Sequence, residues 1–164
     1  MVRVENLSEK IKIPCVILAG GKSSRFGRDK GVLFAKHQFD YLSQFFEKVY
    51  ISADRDKFDF EVELILDSSK IKAPIFALRD ILKRFNEVFV VSVDSLEVKR
   101  DIIFNLVKNR AVSDKNPLVG YYDISILNKI EDRISNNIFK IYGLQKSLET
   151  DEIVNINYPN DKFF

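Results

Sequence analysis

Short apolar runs of strand length alternate along this chain with stretches whose apolar residues recur at helical spacing. Ile13-Pro14-Cys15-Val16-Ile17-Leu18 is the first such run and reads as a buried strand. Between Gln38 and Glu47, the residues Phe39, Leu42, Phe45 and Phe46 fall at helical spacing. Val49-Tyr50-Ile51 predicts a short strand ending in the polar turn Ser52-Ala53-Asp54-Arg55. Val62 to Leu66 predicts a third, ending at Asp67-Ser68-Ser69. Pro74 suits the first position of a helix, with Ile75, Leu78, Ile81, Leu82 and Phe85 on its buried face. Val88-Phe89-Val90-Val91-Ser92-Val93, β-branched and apolar on both faces, is the strongest strand signal, and it ends at Asp94. A helix follows through Ile102, Ile103, Leu106 and Val107. Pro117 to Tyr122 then reads as a strand, Ile124 to Ile134 as a helix, and Ile153 to Asn157 as the last strand.

Strands alternating with helices predict an α/β fold: a three-layer α/β/α sandwich around a Rossmann-like, mostly parallel sheet. Such sheets bind ligands beyond the C-terminal ends of their strands. Gly20-Gly21, Asp54, Asp67, Asp94 and Asn157 fall at or just past the ends of different predicted strands, and would converge on one edge of the sheet. Each alone is an ordinary turn former or helix cap; together they outline a cleft. Repeats, low-complexity tracts and Pro/Gly/Ser-rich linkers are absent, so residues 1–164 are expected to form a single domain.

Composition narrows the chemistry. A net charge of +2 gives no electrostatic case for binding nucleic acid or a membrane surface. The one cysteine, Cys15, excludes an internal disulfide and lies within an apolar run, where core packing is expected. The one histidine, His37, rules out a His-rich metal site and is expected at the surface. Met1 to Lys12 lacks the apolar stretch of a signal peptide, and no run approaches the ~18 apolar residues of a membrane span, which points to the cytoplasm.

The chemistry concentrates in Leu18-Ala19-Gly20-Gly21-Lys22-Ser23-Ser24-Arg25-Phe26-Gly27-Arg28-Asp29-Lys30, directly after the first strand. Its glycines let backbone N–H groups approach a ligand closely, and its cations suit a polyphosphate. The spacing fits neither G-x-G-x-x-G nor G-x-x-x-x-G-K-[ST], because Lys22 follows the glycine pair and Arg28 follows Gly27. It resembles instead the L-A-G-G-x-S-x-R-[MF]-G-x-D-K signature of nucleotidyltransferases of the nucleotide-diphospho-sugar transferase type. Within these it resembles the molybdenum cofactor guanylyltransferase branch (MobA-type). Asn155-Ile156-Asn157-Tyr158-Pro159-Asn160-Asp161 resembles that branch's N-I-N-T-P-E-D ending, and Asn116-Pro117-Leu118-Val119-Gly120 resembles H-P-L-x-G.

The resemblance implies transfer of GMP from GTP to a molybdopterin phosphate, with release of pyrophosphate. It implies that Leu18, Ala19, Gly20 and Gly21 hold the nucleotide, that Arg25 stabilises the leaving pyrophosphate, and that Lys30 stands at the α-phosphate. By the same resemblance Asp94 is a catalytic residue and the ligand of Mg²⁺. A carboxylate leaving a buried strand suits that ion, which takes oxygen ligands and shares them with substrate phosphates. Asp54 and Asp67 would contact the nucleotide, and Asn155 and Asn157, on one side of a strand, the pterin. Proteins of molybdopterin biosynthesis or molybdoenzyme maturation are the implied partners. Several positions depart from the family pattern: Asp54 replaces asparagine, Ala73 and Ala77 replace glycines, and Ser95-Leu96 replaces an apolar residue followed by proline. These departures leave open a nucleotide-binding homologue that no longer catalyses. A molybdopterin cytidylyltransferase and a sugar-1-phosphate nucleotidyltransferase stay open as well, because these residues do not set the base preference.

Overall fold

The computed structural model describes residues 9–20 and 30–155, with Lys30 described by its backbone alone. Strands β1 (Cys15–Leu18), β2 (Val49–Ala53), β3 (Glu63–Leu66), β4 (Glu87–Ser92), β5 (Val112–Ser113), β6 (Val119–Asp123) and β7 (Ser147–Leu148) form one sheet in the order β3-β2-β1-β4-β6-β5-β7. The first four strands of this order run parallel, and β6 is antiparallel to both its neighbours. Helices α1 (Lys30–Leu42), α2 (Pro74–Arg84), α3 (Arg100–Asn109) and α4 (Leu127–Ser135) cover it.

Alternation along each strand divides the core into two layers. Cys15, Ile17, Ile51, Phe89, Val91 and Tyr121 pack with Phe34, Leu42, Ile103 and Leu106 of α1 and α3. Their strand neighbours Val16, Tyr50, Val88, Val90 and Tyr122 pack with Ile75, Leu78, Ile81 and Ile130 of α2 and α4. Opposite side chains of a strand thus meet different helices, which is the three-layer arrangement the sequence predicts. Cys15 is buried as expected, and loss of hydration pushes its thiol far above the ordinary range.

Pro74 does open α2, at a position whose missing N–H has no helical partner to lose. The first helix differs from expectation. It begins at Lys30 and ends at Leu42, because Phe34 and Ala35 carry the apolar stripe further back than the sequence pattern suggests. Beyond Leu42, the chain turns and is drawn into extended pairing with Ile11, whose N–H donates to Phe45 O at 2.7 Å and whose carbonyl accepts from Glu47 N at 3.0 Å. The expected helix over Ile124 to Ile134 starts as a 3-10 turn at Ile124–Ile126 before α4.

The C-terminal strand is also corrected. Over the described part of Ile153 to Asn157, Asn155 makes one isolated antiparallel bridge, to Ser95. The sheet edge is occupied instead by Ser147–Leu148, parallel to Val112–Ser113. Thr150 N then donates to the Asp114 carboxylate at 3.0 Å, and the chain leaves the sheet edge and returns toward the end of β4. Two-residue strands leave no periodic signal, so β5 and β7 are invisible in the sequence pattern.

Candidate functional site

The parallel strands end in register. Leu18 stands opposite Ser52 on one side and Ser92 on the other, and Ala53 stands opposite Leu66. The ladder continues one residue further, with Ala19 N donating to Ser52 O at 2.8 Å, Asp67 N to Ala53 O at 2.9 Å and Val93 N to Leu18 O at 3.0 Å. Asp67, Asp54, Gly20 and Asp94 are therefore set just beyond the ends of β3, β2, β1 and β4, which neighbour one another in that order. From β1 the chain winds outward to β2 and β3; α2 then carries it back across to β4. The point where strand order reverses lies between β1 and β4, and open α/β sheets bind their ligands there.

Gly20 and Asp67 touch across this edge. A β-carbon added to Gly20 would lie 2.9 Å from Asp67 Oδ2. Asp67 Oδ1 accepts from the Ser52 hydroxyl at 3.4 Å. Burial pushes the Asp67 carboxyl above its ordinary range, against the opposing pull of the Lys72 ammonium and the Ser52 hydroxyl. Gly20, Ser52, Asp67 and Lys72 line one pocket together with Ala73, Ala77 and Leu118. The two alanines that replace family glycines are thus wall residues of this pocket.

Asp54 is exposed and faces two cations, Lys57 Nζ at 3.5 Å and Lys72 Nζ at 3.9 Å. Burial favours its neutral form, but these ammoniums outweigh burial and hold the carboxyl below its ordinary range. Lys72 lies near both carboxylates; sequence reasoning missed it. Its signal was a pair of lysines, Lys70 and Lys72, between a carboxylate at a strand end and the helix-opening Ala73-Pro74.

Asp94 is half-buried and accepts a hydrogen bond from the Ser92 hydroxyl. Its loop is knit to the C-terminal segment through Ser95, which is fully buried. The Ser95 hydroxyl donates to Asn155 Oδ1 and accepts from Asn116 Nδ2 at 3.3 Å. Asn116 also accepts from Leu118 N at 2.9 Å, shaping the turn into β6. The two asparagine segments singled out in the sequence therefore meet at one hydroxyl beside Asp94, as two walls of one region would. Ser95 was read as a departure from pattern; its role as their junction was not legible.

Gly21, Arg25 and Asn157 lie outside the described residues, as does the side chain of Lys30. His37 is exposed near Glu97, with Nε2 at 3.5 Å from its carboxylate, as its surface expectation requires. Among the described residues no cluster of three or more His, Cys, Asp or Glu side chains forms a self-sufficient metal cage. A single carboxylate at a strand end suits an ion that completes its shell with water and substrate phosphates. No helix among the described residues is long and apolar enough to cross a membrane.

A mostly parallel sheet, a glycine at the end of its first strand and carboxylates on the neighbouring ends make this an open α/β protein whose ligand edge is the C-terminal edge of the sheet. The family profile described as the MobA-like NTP transferase domain matches residues 15–125. A relative from Campylobacter jejuni strain RM1221, named molybdenum cofactor guanylyltransferase, is 34% identical over 175 residues, covering 90% of this chain and 92% of its own. A crystal structure of a protein from Aquifex aeolicus VF5 superposes with a TM-score of 0.73 at 32% identity, over 89% of this chain and 94% of that one. The crystal structure of molybdopterin-guanine dinucleotide biosynthesis protein A from Archaeoglobus fulgidus shares the fold, with a TM-score of 0.64 at 22% identity over 84% and 83% of the two chains. The chain belongs to the MobA-like NTP transferase family.

Proposed function

We propose that this chain is a molybdenum cofactor guanylyltransferase, moving GMP from GTP to the terminal phosphate of molybdopterin and releasing pyrophosphate. The observation that carries the reading is the registered row of Asp67, Gly20 and Asp94 across the strand ends on either side of the point where strand order reverses. The guanylyl and molybdopterin details are supported by the likeness to the Campylobacter jejuni relative along nearly the whole of both chains.

In this reading an acceptor phosphate oxygen forms a bond to the α-phosphorus of GTP as the bond from that phosphorus to the β-phosphate bridging oxygen breaks. Both reactants are anions, so the work is alignment and charge neutralisation. Leu18, Ala19, Gly20 and Gly21 border the nucleotide, with Asp67 and Asp54 at the neighbouring strand ends. The sheet takes the Leu18 carbonyl and the Ala19 N–H, so backbone contact to the nucleotide falls to the glycines. Arg25 neutralises the departing pyrophosphate, and Lys30 the α-phosphate. Asn155 and Asn157 face the pterin, with the Asn116 segment as a wall. The nucleophile is already ionised, so no general base is required. Asp94 would hold Mg²⁺, whose chemistry is to draw charge from phosphate oxygens; its position as one half-buried carboxylate at a strand end fits an ion that takes few protein ligands.

Calorimetric titration with GTP, ATP, CTP and UTP in the presence of Mg²⁺ tests the nucleotide assignment. GTP is expected to bind most tightly; tighter CTP binding, or equal affinity for all four, would overturn it.

A further inference from the structure

Helix α1 turns one polar residue into the core. Gln38 is 0% exposed, on the stripe formed by Phe34, Ala35 and Leu42. A leucine or methionine would fill such a position without the cost of burying an amide, which is unfavourable unless hydrogen-bonded. The carboxamide is used in one direction. Nε2 donates to Ser92 O at 3.0 Å and Ser95 O at 3.0 Å, with Val93 O further away at 3.4 Å. The opposite amide orientation would aim an oxygen at three carbonyls, so chemistry fixes which end points where. The other end, Oε1, has no hydrogen-bond partner among the described residues.

The carbonyls gripped by Nε2 belong to the two residues before Asp94 and the one after it. The sheet holds this backbone only up to Val93, through Ser92 N to Leu118 O at 2.9 Å and Val93 N to Leu18 O at 3.0 Å, and Ser95 N turns back onto Ser92 O at 3.0 Å. Gln38 adds a bond to the carbonyl of Ser95, beyond the last ladder bond. Three positions along α1, the Tyr41 hydroxyl donates to Val98 O at 2.8 Å and fastens the far side of the same loop. Nothing about packing requires an amide at this position; holding a loop by its carbonyls does.

We propose that Gln38 is a positioning residue, whose carboxamide fixes the backbone on both sides of Asp94 and thereby sets where that carboxylate stands. This deepens the metal reading of Asp94 given above and rests on it.

Two measurements test it. In the unmodified protein, NMR exchange should show the Gln38 carboxamide protons strongly protected relative to those of exposed Gln44; equal exchange overturns the proposal without any variant. The second replaces the donor by an apolar side chain of similar length, Gln38→Met. The half-saturating Mg²⁺ concentration for turnover should rise about 10-fold or more, the usual scale for loss of an outer-shell partner. GTP binding measured without metal should be unchanged. An unchanged Mg²⁺ response in a folded Gln38→Met protein overturns the proposal. Asp94→Ala in the same assay separates the two readings. If it shifts the Mg²⁺ response and Gln38→Met does not, the Gln38 inference alone fails; if Asp94→Ala leaves the response unchanged, the metal reading fails and takes this inference with it.

Discussion

Gly20 leaves room for the Asp67 carboxylate: an added β-carbon there would stand 2.9 Å from Oδ2, closer than real carbon contacts allow. The atom in the way is the end of a side chain, so the carboxylate would swing aside while the backbone kept its course. Gly20→Ala is therefore expected to fold normally and to bind GTP about 10-fold more weakly, roughly 1.4 kcal/mol. Calorimetric titration beside a melting curve checks this. Wild-type affinity in the variant would mean that the Gly20–Asp67 contact plays no part in the nucleotide site.

Asp67 also predicts a dependence of stability on pH. Burial raises its pKa, so the folded state holds this proton more tightly than the unfolded chain does. Its contribution to stability is present below the unfolded carboxylate pKa of about 4 and is lost as pH rises through the folded value. At neutral pH the ionised carboxylate is then a local liability. Asp67→Asn, which keeps an acceptor for Ser52, should melt higher than wild type at pH 7, with the gain fading as pH falls toward about 4. It should also bind nucleotide less tightly. A variant that melts lower at pH 7 would contradict the sign.

Asp94→Ala should stay folded, since Asp94 is only half-buried, yet lose turnover by roughly 100-fold or more, the scale of single electrostatic groups at reacting centres. Nucleotide binding should fall less than kcat. A collapsed melting temperature with full activity per folded molecule would return Asp94 to a structural role.

Gly120 carries a purely structural prediction. It sits at φ +154°, and a β-carbon there would lie 2.3 Å from Val112 Cα. The obstacle is the backbone of the neighbouring strand, which cannot move alone. Gly120→Ala should destabilise the protein by about 3 kcal/mol, the upper range for overpacking a core, as read by urea unfolding. A change within experimental error would mean that β5 and β6 can separate freely.

The strands that build the cleft were legible because each is an apolar run closed by a polar turn, as Val49–Ala53 and Glu87–Ser92 are. Their ends located Gly20, Asp54, Asp67 and Asp94 without any tertiary information. What escaped depends on contacts between distant segments. Helix α1 stops where Ile11 captures the backbone beyond it, a pairing no local pattern reveals. The expected final strand reduces over its described part to one bridge at Asn155, because Ser147–Leu148 takes the sheet edge. Gln38 was visible only as a polar residue; its place on an apolar stripe appears once α1 is seen to start at Lys30. Ser95 joins Asn116 and Asn155 across 21 and 60 residues of chain, separations beyond any motif.

In the proposed reaction this cleft joins a guanylyl donor to a molybdopterin acceptor. Pyrophosphate release, followed with each of the four nucleoside triphosphates and Mg²⁺, with and without molybdopterin, tests it most directly. Release is expected with GTP, to require molybdopterin and to yield one pyrophosphate per acceptor consumed. Release supported by CTP in place of GTP, or release with GTP that is indifferent to molybdopterin, would contradict it.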